Sequence, residues 1–143
     1  MSQNKSKSTQ KKSKGSLKSS TTIEINNFSI AEEVYERDPD TLEKYRKQRD
    51  SQGFDDTETW HLDRTLALFL IPRLERFIQV NNGFPTNETE QSYDEKLNFI
   101  LNSFKEYYYN ENEEVSLEIE KERLSNAKKA AVLLGELWFD LWW

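Results

Sequence analysis

Three stretches of this chain repeat apolar residues at intervals of three and four, and no other feature constrains its fold as strongly. In the first, Leu62, Leu66, Phe69, Leu70, Leu74 and Phe77 fall on one helical face. In the second the series is Leu97, Ile100, Leu101, Phe104, Tyr107 and Tyr108, the cleanest amphipathic pattern of the three. The third starts near Val115 and runs toward the C-terminus through Leu117, Leu124, Ala127, Ala131, Leu134, Trp138 and Leu141. A helix with one apolar stripe must bury it against another element, and short connections make a bundle the economical solution. Residues 21–28, TTIEINNF, have weak strand character, too little to predict a strand.

The punctuation between these stretches agrees with helices. Asp55, Asp56, Thr57 and Thr59 are all N-cap types ahead of the first, and acids there complement the helix dipole. Pro72 inside it removes a hydrogen bond to the Leu68 carbonyl and is expected to kink or split the helix. Asn82-Gly83-Phe84-Pro85 is turn chemistry, and Ser92-Tyr-Asp-Glu95 reads as a capping box for the second stretch. NENEE, residues 110–114, is a polar break. Ala127, Ala130, Ala131 and Gly135 form a small-residue strip that would allow close helix approach.

Upstream, Ser29-Ile-Ala-Glu32 is another capping box and predicts a short helix from Ile30 to Arg37, ended by Pro39. Pro39 also suits the first turn of a second short helix, PDTLEKYRKQRD, with Leu42 and Tyr45 as its apolar contacts. Gly53 follows it a few residues late for an ideal C-cap. The fold class is therefore mainly α: a compact bundle of three main helices plus one or two short N-terminal helices.

Charge divides the chain. The first 20 residues hold Lys5, Lys7, Lys11, Lys12, Lys14 and Lys18, no acid, and only Met1 and Leu17 as strongly apolar residues. Such a segment buries too little to offset its ordering entropy. Residues 1–28 are accordingly expected to form a disordered Lys/Ser-rich tail, and residues 29–143 a single α-helical domain. Beyond the six lysines lie 14 basic and 26 acidic residues, a net charge of −12. The tail could touch phosphate, whereas the body repels it.

Absences exclude several chemistries. With no cysteine there is no disulfide, thiolate metal site or Cys nucleophile, and one histidine rules out most His-based zinc sites. No apolar run approaches the roughly 18 residues of a membrane span, and the N-terminus lacks the apolar core of a secretory signal. A cytosolic protein without a membrane partner is expected.

Four constellations merit weighing. His61 and Asp63 would suit a base and its orienter, but at i and i+2 they do not face each other on a helix. A capped helix start with Trp60 folded over it is the simpler explanation. Glu136 and Asp140, preceded by Glu118, Glu120 and Glu122, could present oxygens to Mg²⁺, as all-α nucleotide pyrophosphohydrolases do from adjacent helices. This chain has Glu-x-x-x-Asp where those enzymes have Glu-x-x-Asp, and no clear partner motif. With so many acids, a solvated face explains the pair. The tail lysines lack the aromatic interleaving of a stacking platform, so they supply at most non-specific nucleic-acid binding. The fourth constellation is the end, LLGELWFDLWW. Trp138, Phe139, Trp142 and Trp143 are hard to bury together in a small domain, and aromatics serve well as interface anchors. This sequence predicts no catalytic residue, metal ligand or cofactor. It predicts a protein partner or a homo-oligomer, with a nucleic-acid or nucleotide-binding module using the basic tail as the alternative and a divergent Mg²⁺-dependent nucleotide pyrophosphohydrolase as the second alternative.

A combined pattern resembles a family of small uncharacterised bacteriophage proteins. Its elements here are Asp56-Thr57-Glu58-Thr59-Trp60-His61-Leu62-Asp63, then Ile71-Pro72-Arg73-Leu74, then Gly83-Phe84-Pro85, and the aromatic terminus. The similarity covers roughly residues 53–143, and the polar stretch YYNENEEVSLEIEKERLSN departs from it. The resemblance implies a phage origin and a helical fold, and the expected location is then the host cytoplasm, with the virion as the alternative. It implies no activity and supplies no catalytic residue, although a host-takeover or anti-defence role would suit such a protein. It singles out Trp60, Asp63 and Arg73 as an architectural element or as binding contacts. Ten residues apart, Asp63 and Arg73 would share one side of an unkinked helix.

Overall fold

The computed structural model describes residues 29–31 and 38–142. Helix α1 (Pro39–Gln52) begins with Pro39 at N1, and the Asp38 carboxylate caps it by accepting from the Thr41 N–H at 2.9 Å and the Thr41 hydroxyl at 2.6 Å. It continues past Asp50 to Gln52, so Gly53 is the C-cap itself and not a late stop. Gly53 takes φ 85°, the left-handed conformation that L side chains resist, and its N–H closes on the Arg49 carbonyl.

The expected cap of the next helix is diverted into a separate element. Asp55 and Glu58 form a capping box around a 3₁₀ turn, Asp56–Thr59, and α2 (Leu62–Val80) starts only after it. Pro72 does not split α2. It sits on the exposed side, where water can satisfy the Leu68 carbonyl, and the Arg73 guanidinium donates to the Phe69 carbonyl at 2.8 Å. Asn81 ends the helix and exchanges two hydrogen bonds with Gly83 through its side-chain amide.

Helix α3 (Glu90–Tyr108) begins two residues before the predicted box. Thr89 is its N-cap, accepting from the Ser92 N–H, while the Ser92 hydroxyl turns back to Glu88. Helix α4 (Leu117–Glu136) is capped by Ser116. The polar break between them is pinned on both sides, by Arg64 to Glu111 at 2.8 Å and by Arg123 to Glu113 at 2.7 Å.

All elements among the described residues are helical, and they pack as a bundle around α3. That helix packs on α4 and on α2, which have no comparable contact with each other. It supplies Tyr93, Leu97, Ile100, Leu101 and Phe104 to a core completed by Ile71, Leu74, Ala127, Ala130 and Leu137. Each fully buried aliphatic side chain there contributes about 1.5–3 kcal/mol. On α2 the buried face is Ala67, Ile71 and Leu74; of the predicted stripe, Leu70 and Phe77 pack beside that face, whereas Leu62, Leu66 and Phe69 are exposed. The apolar arc of α2 is wider than one neighbouring helix can cover. On α4, Ala127 and Ala130 make the close approach, whereas Gly135 faces open space and Ala131 is exposed. Leu117 and Leu124 are also exposed.

Two expectations concern the N-terminal side. Ile30 and Ala31 are not helical, and the rest of the predicted helix, Glu32–Arg37, lies outside the described residues. The expected tail, residues 1–28, lies outside them as well. Among the described residues no helix is long and apolar enough to cross a membrane.

Candidate functional site

The predicted terminal helix stops at Glu136, and this stop builds the most distinctive surface of the molecule. Leu137 leaves the helix with φ −89° and ψ 5°, and its N–H still reaches the Leu133 carbonyl. A 3₁₀ turn, Trp138–Asp140, follows, closed by the Asp140 N–H on the Leu137 carbonyl. Leu137 is buried in the core, Leu141 packs against it, and the Tyr93 hydroxyl donates to the Asp140 carbonyl at 2.6 Å. Burial raises the Tyr93 pKa, with the Asp140 and Asp94 charges acting in the same direction, so the phenol remains a donor. Two aromatics between these anchors and one directly after them face solvent. Trp138 is 61% exposed, Phe139 89% and Trp142 68%. The fourth predicted residue, Trp143, lies outside the described residues. The core thus holds the aliphatic partners and leaves the large rings outside.

Trp60, Asp63 and Arg73 do not form one site. Trp60 is 60% exposed. Asp63 accepts from the Tyr108 hydroxyl of α3 at 3.0 Å. Burial, and then this hydrogen bond to a carboxylate, push the Tyr108 phenol well above its ordinary value. Arg73 turns to its own helix, its guanidinium 3.6 Å from the centroid of the Phe69 ring. His61 is the exposed N-cap of α2 and makes no side-chain cap.

Two apolar grooves meet at Leu66. One, of about 420 Å³, opens between α2 and α4 over a floor of Phe104, Tyr107 and Tyr108. Leu66 and Leu70 form one wall, and Leu124, Ala131 and Leu134 the other. Asp63 and Lys128 are its charged rim. It exists because α2 and α4 flank α3 without closing on each other. The second groove, of similar volume, runs between Ile30, Phe54, Leu62 and Phe69.

Beneath the second groove lies a polar junction that the sequence only hinted at. Asp55 and Glu58 are both buried. Arg49 donates to Asp55 at 2.6 Å, and Thr57 donates to the same carboxylate through its N–H and hydroxyl. Glu58 accepts from the Asp55 N–H, the Ser29 hydroxyl and the Ile30 N–H. Burial works to raise the Asp55 pKa, but Thr57 and Arg49 outweigh it and hold the carboxyl below its ordinary value. Among the described residues no buried side-chain polar atom lacks a partner, so this junction has no unmet polar group aimed at a ligand. The Asp-x-x-Glu spacing was the signal available for it.

Glu136 closes α4 while Asp140 sits in the 3₁₀ turn, so they are not successive turns of one helix. Among the described residues no group of three or more His, Cys, Asp or Glu side chains could hold a metal ion. The tail candidates Lys5, Lys7, Lys11, Lys12, Lys14 and Lys18 lie outside the described residues.

Comparison of the chain with family models, with curated proteins and with solved structures gives no match.

Proposed function

We propose that this chain is a non-enzymatic accessory protein, of bacteriophage type, that acts by associating with a protein through its C-terminal aromatic turn. One observation carries this: Trp138 and Phe139 on the turn and Trp142 just beyond it are all exposed, along a backbone anchored by Leu137, Leu141 and the Tyr93–Asp140 hydrogen bond. Exposed aromatics on a fixed backbone lose little entropy on binding, the condition under which rings act as interface anchors. Their combined exposed surface, roughly 400 Å² at ~150–250 Å² per ring, matches the size of patch that marks a contact site. Such a protein would work in the host cytoplasm or travel in the virion, and a host-takeover or anti-defence role would suit it.

Light scattering on the full chain and on the Trp138→Ala/Trp142→Ala variant tests this. A wild-type oligomer that becomes a folded monomer in the variant supports association through the turn. An oligomer indifferent to the substitutions counts against it. A monomeric wild type removes self-association and leaves a different protein as the occupant.

A further inference from the structure

We infer that the groove between α2 and α4 receives the aromatic turn of a second copy of this chain, so that two molecules exchange turns reciprocally. This rests on the association proposed above and names the surface on the other side of it.

The groove fits the turn in size and polarity. A cavity of ~150 Å³ holds one benzene ring, so about 420 Å³ has room for two or three rings. Its floor is aromatic, Phe104, Tyr107 and Tyr108, which suits edge-to-face packing. A buried indole N–H needs an acceptor, and Asp63 on the rim is an exposed carboxylate with acceptor capacity beyond the one bond it receives from Tyr108.

The turn does not fill its own groove. Leu134, one helical turn before Trp138, belongs to the groove wall, yet Leu137 and Leu141 pack inward on the core while Trp138, Phe139 and Trp142 stay exposed. The rings are therefore left for another molecule. Charge favours an identical one. Lys128 stands on the groove rim, and among the described residues it has no ion pair. The Asp140 side chain stands within the turn and likewise has none there. A turn seated in a groove brings these two charges together, and a reciprocal pair does so twice.

Area sets the stoichiometry. One turn of roughly 400 Å² covered by an equal groove surface is too small for a stable interface. Two such contacts bury on the order of 1,600 Å², the standard size. Reciprocal exchange also closes the assembly at two copies, where a one-way contact would build rings or open chains.

The test is the dimer dissociation constant of the full chain, from light scattering over a concentration series, with helicity checked by circular dichroism. Lys128→Glu and Asp140→Lys each set like charges across the contact and are expected to weaken the dimer about tenfold. The double variant restores the pair in reversed sense and is expected to recover most of that loss. Ala131→Glu, at an exposed position in the groove wall, is expected to leave a folded monomer. If Trp138→Ala/Trp142→Ala dissociates the dimer while Ala131→Glu and both charge reversals leave it intact, the groove assignment is overturned and the aromatic turn remains the associating surface. If no substitution in either region changes a wild-type dimer, both are overturned. A wild type that stays monomeric at all concentrations overturns the pairing of identical copies.

Discussion

The α3-centred core and the junction beneath α1 hold the chain by opposite means. Around α3, Leu97 and Ile100 are fully buried among other apolar side chains. At the junction, α1 buries no residue at all. It is tied down by Arg49 on Asp55, Gln48 on the Asp56 N–H and Lys44 on the Asp56 carboxylate. Hydrophobic burial is non-directional and nearly independent of pH and salt, whereas these links need charge and geometry together. One molecule therefore contains a part that should unfold only globally and a part that should open on its own.

The largest expected effect comes from Leu97→Ala. It leaves a cavity at the centre of the bundle and should cost about 3 kcal/mol or more of global stability, read by urea denaturation. Next is Arg49→Ala, which leaves the buried Asp55 carboxylate without its cation. About 2 kcal/mol is expected, appearing mainly as faster amide exchange in α1 with α3 still protected. Equal loss of protection in both regions would merge them into one cooperative unit. Acid should act on the same junction without a mutation. The folded Asp55 pKa lies below its ordinary value of 3.8, so its contribution is complete above that value and is lost as pH falls through the lower folded pKa. Asp56 is lowered by Gln48 and Lys44, and Asp38 by Thr41, with the same sign. Amide exchange in α1 should therefore rise on acidification before exchange in α3 does. Gly53→Ala forces a side chain into the left-handed cap and should cost about 1 kcal/mol, again confined to α1. The smallest effect should be Trp138→Ala/Trp142→Ala. Thermal denaturation of dilute, monomeric protein should move stability by less than about 0.5 kcal/mol per site, because in the single molecule these exposed side chains leave little contact behind. A large loss there would show the rings to be structural.

Much of this architecture was legible in residue order. The α3 stripe from Leu97 to Phe104 was read correctly because a helix packed on both sides buries its whole apolar face. On α2 the same procedure was right for Leu70, Leu74 and Phe77, which pack on the core, and wrong for Leu62, Leu66 and Phe69, which are exposed. Periodicity locates apolar residues around a helix but carries no information on how many neighbours cover them. The cap of α3 is Thr89 and not the predicted Ser92 box, and Asp55, one of four N-cap candidates, caps a separate 3₁₀ turn, since several cap-competent residues stand in a row and only the turn geometry selects among them. The exposed rings at the end were anticipated as an interface, but through a continuous helix. Tyr93 was absent from the predicted core, although it lies four residues before Leu97 on the same stripe.

What residue order alone determined is the local part: helical class, approximate boundaries, the acidic body and the aromatic ending. These depend on interactions within a few residues along the chain, on dipole, cap and period. Only the tertiary structure decided which apolar residues are core and which are surface. It ended α4 at Glu136, so that Leu137 turns inward and Trp138 outward. It also buried Asp55 and Glu58 against Arg49 and Ser29, and left α2 and α4 apart over Phe104 and Tyr108. Each of those outcomes depends on a partner distant in sequence, and a contact of that kind exists only once the helices have taken their places.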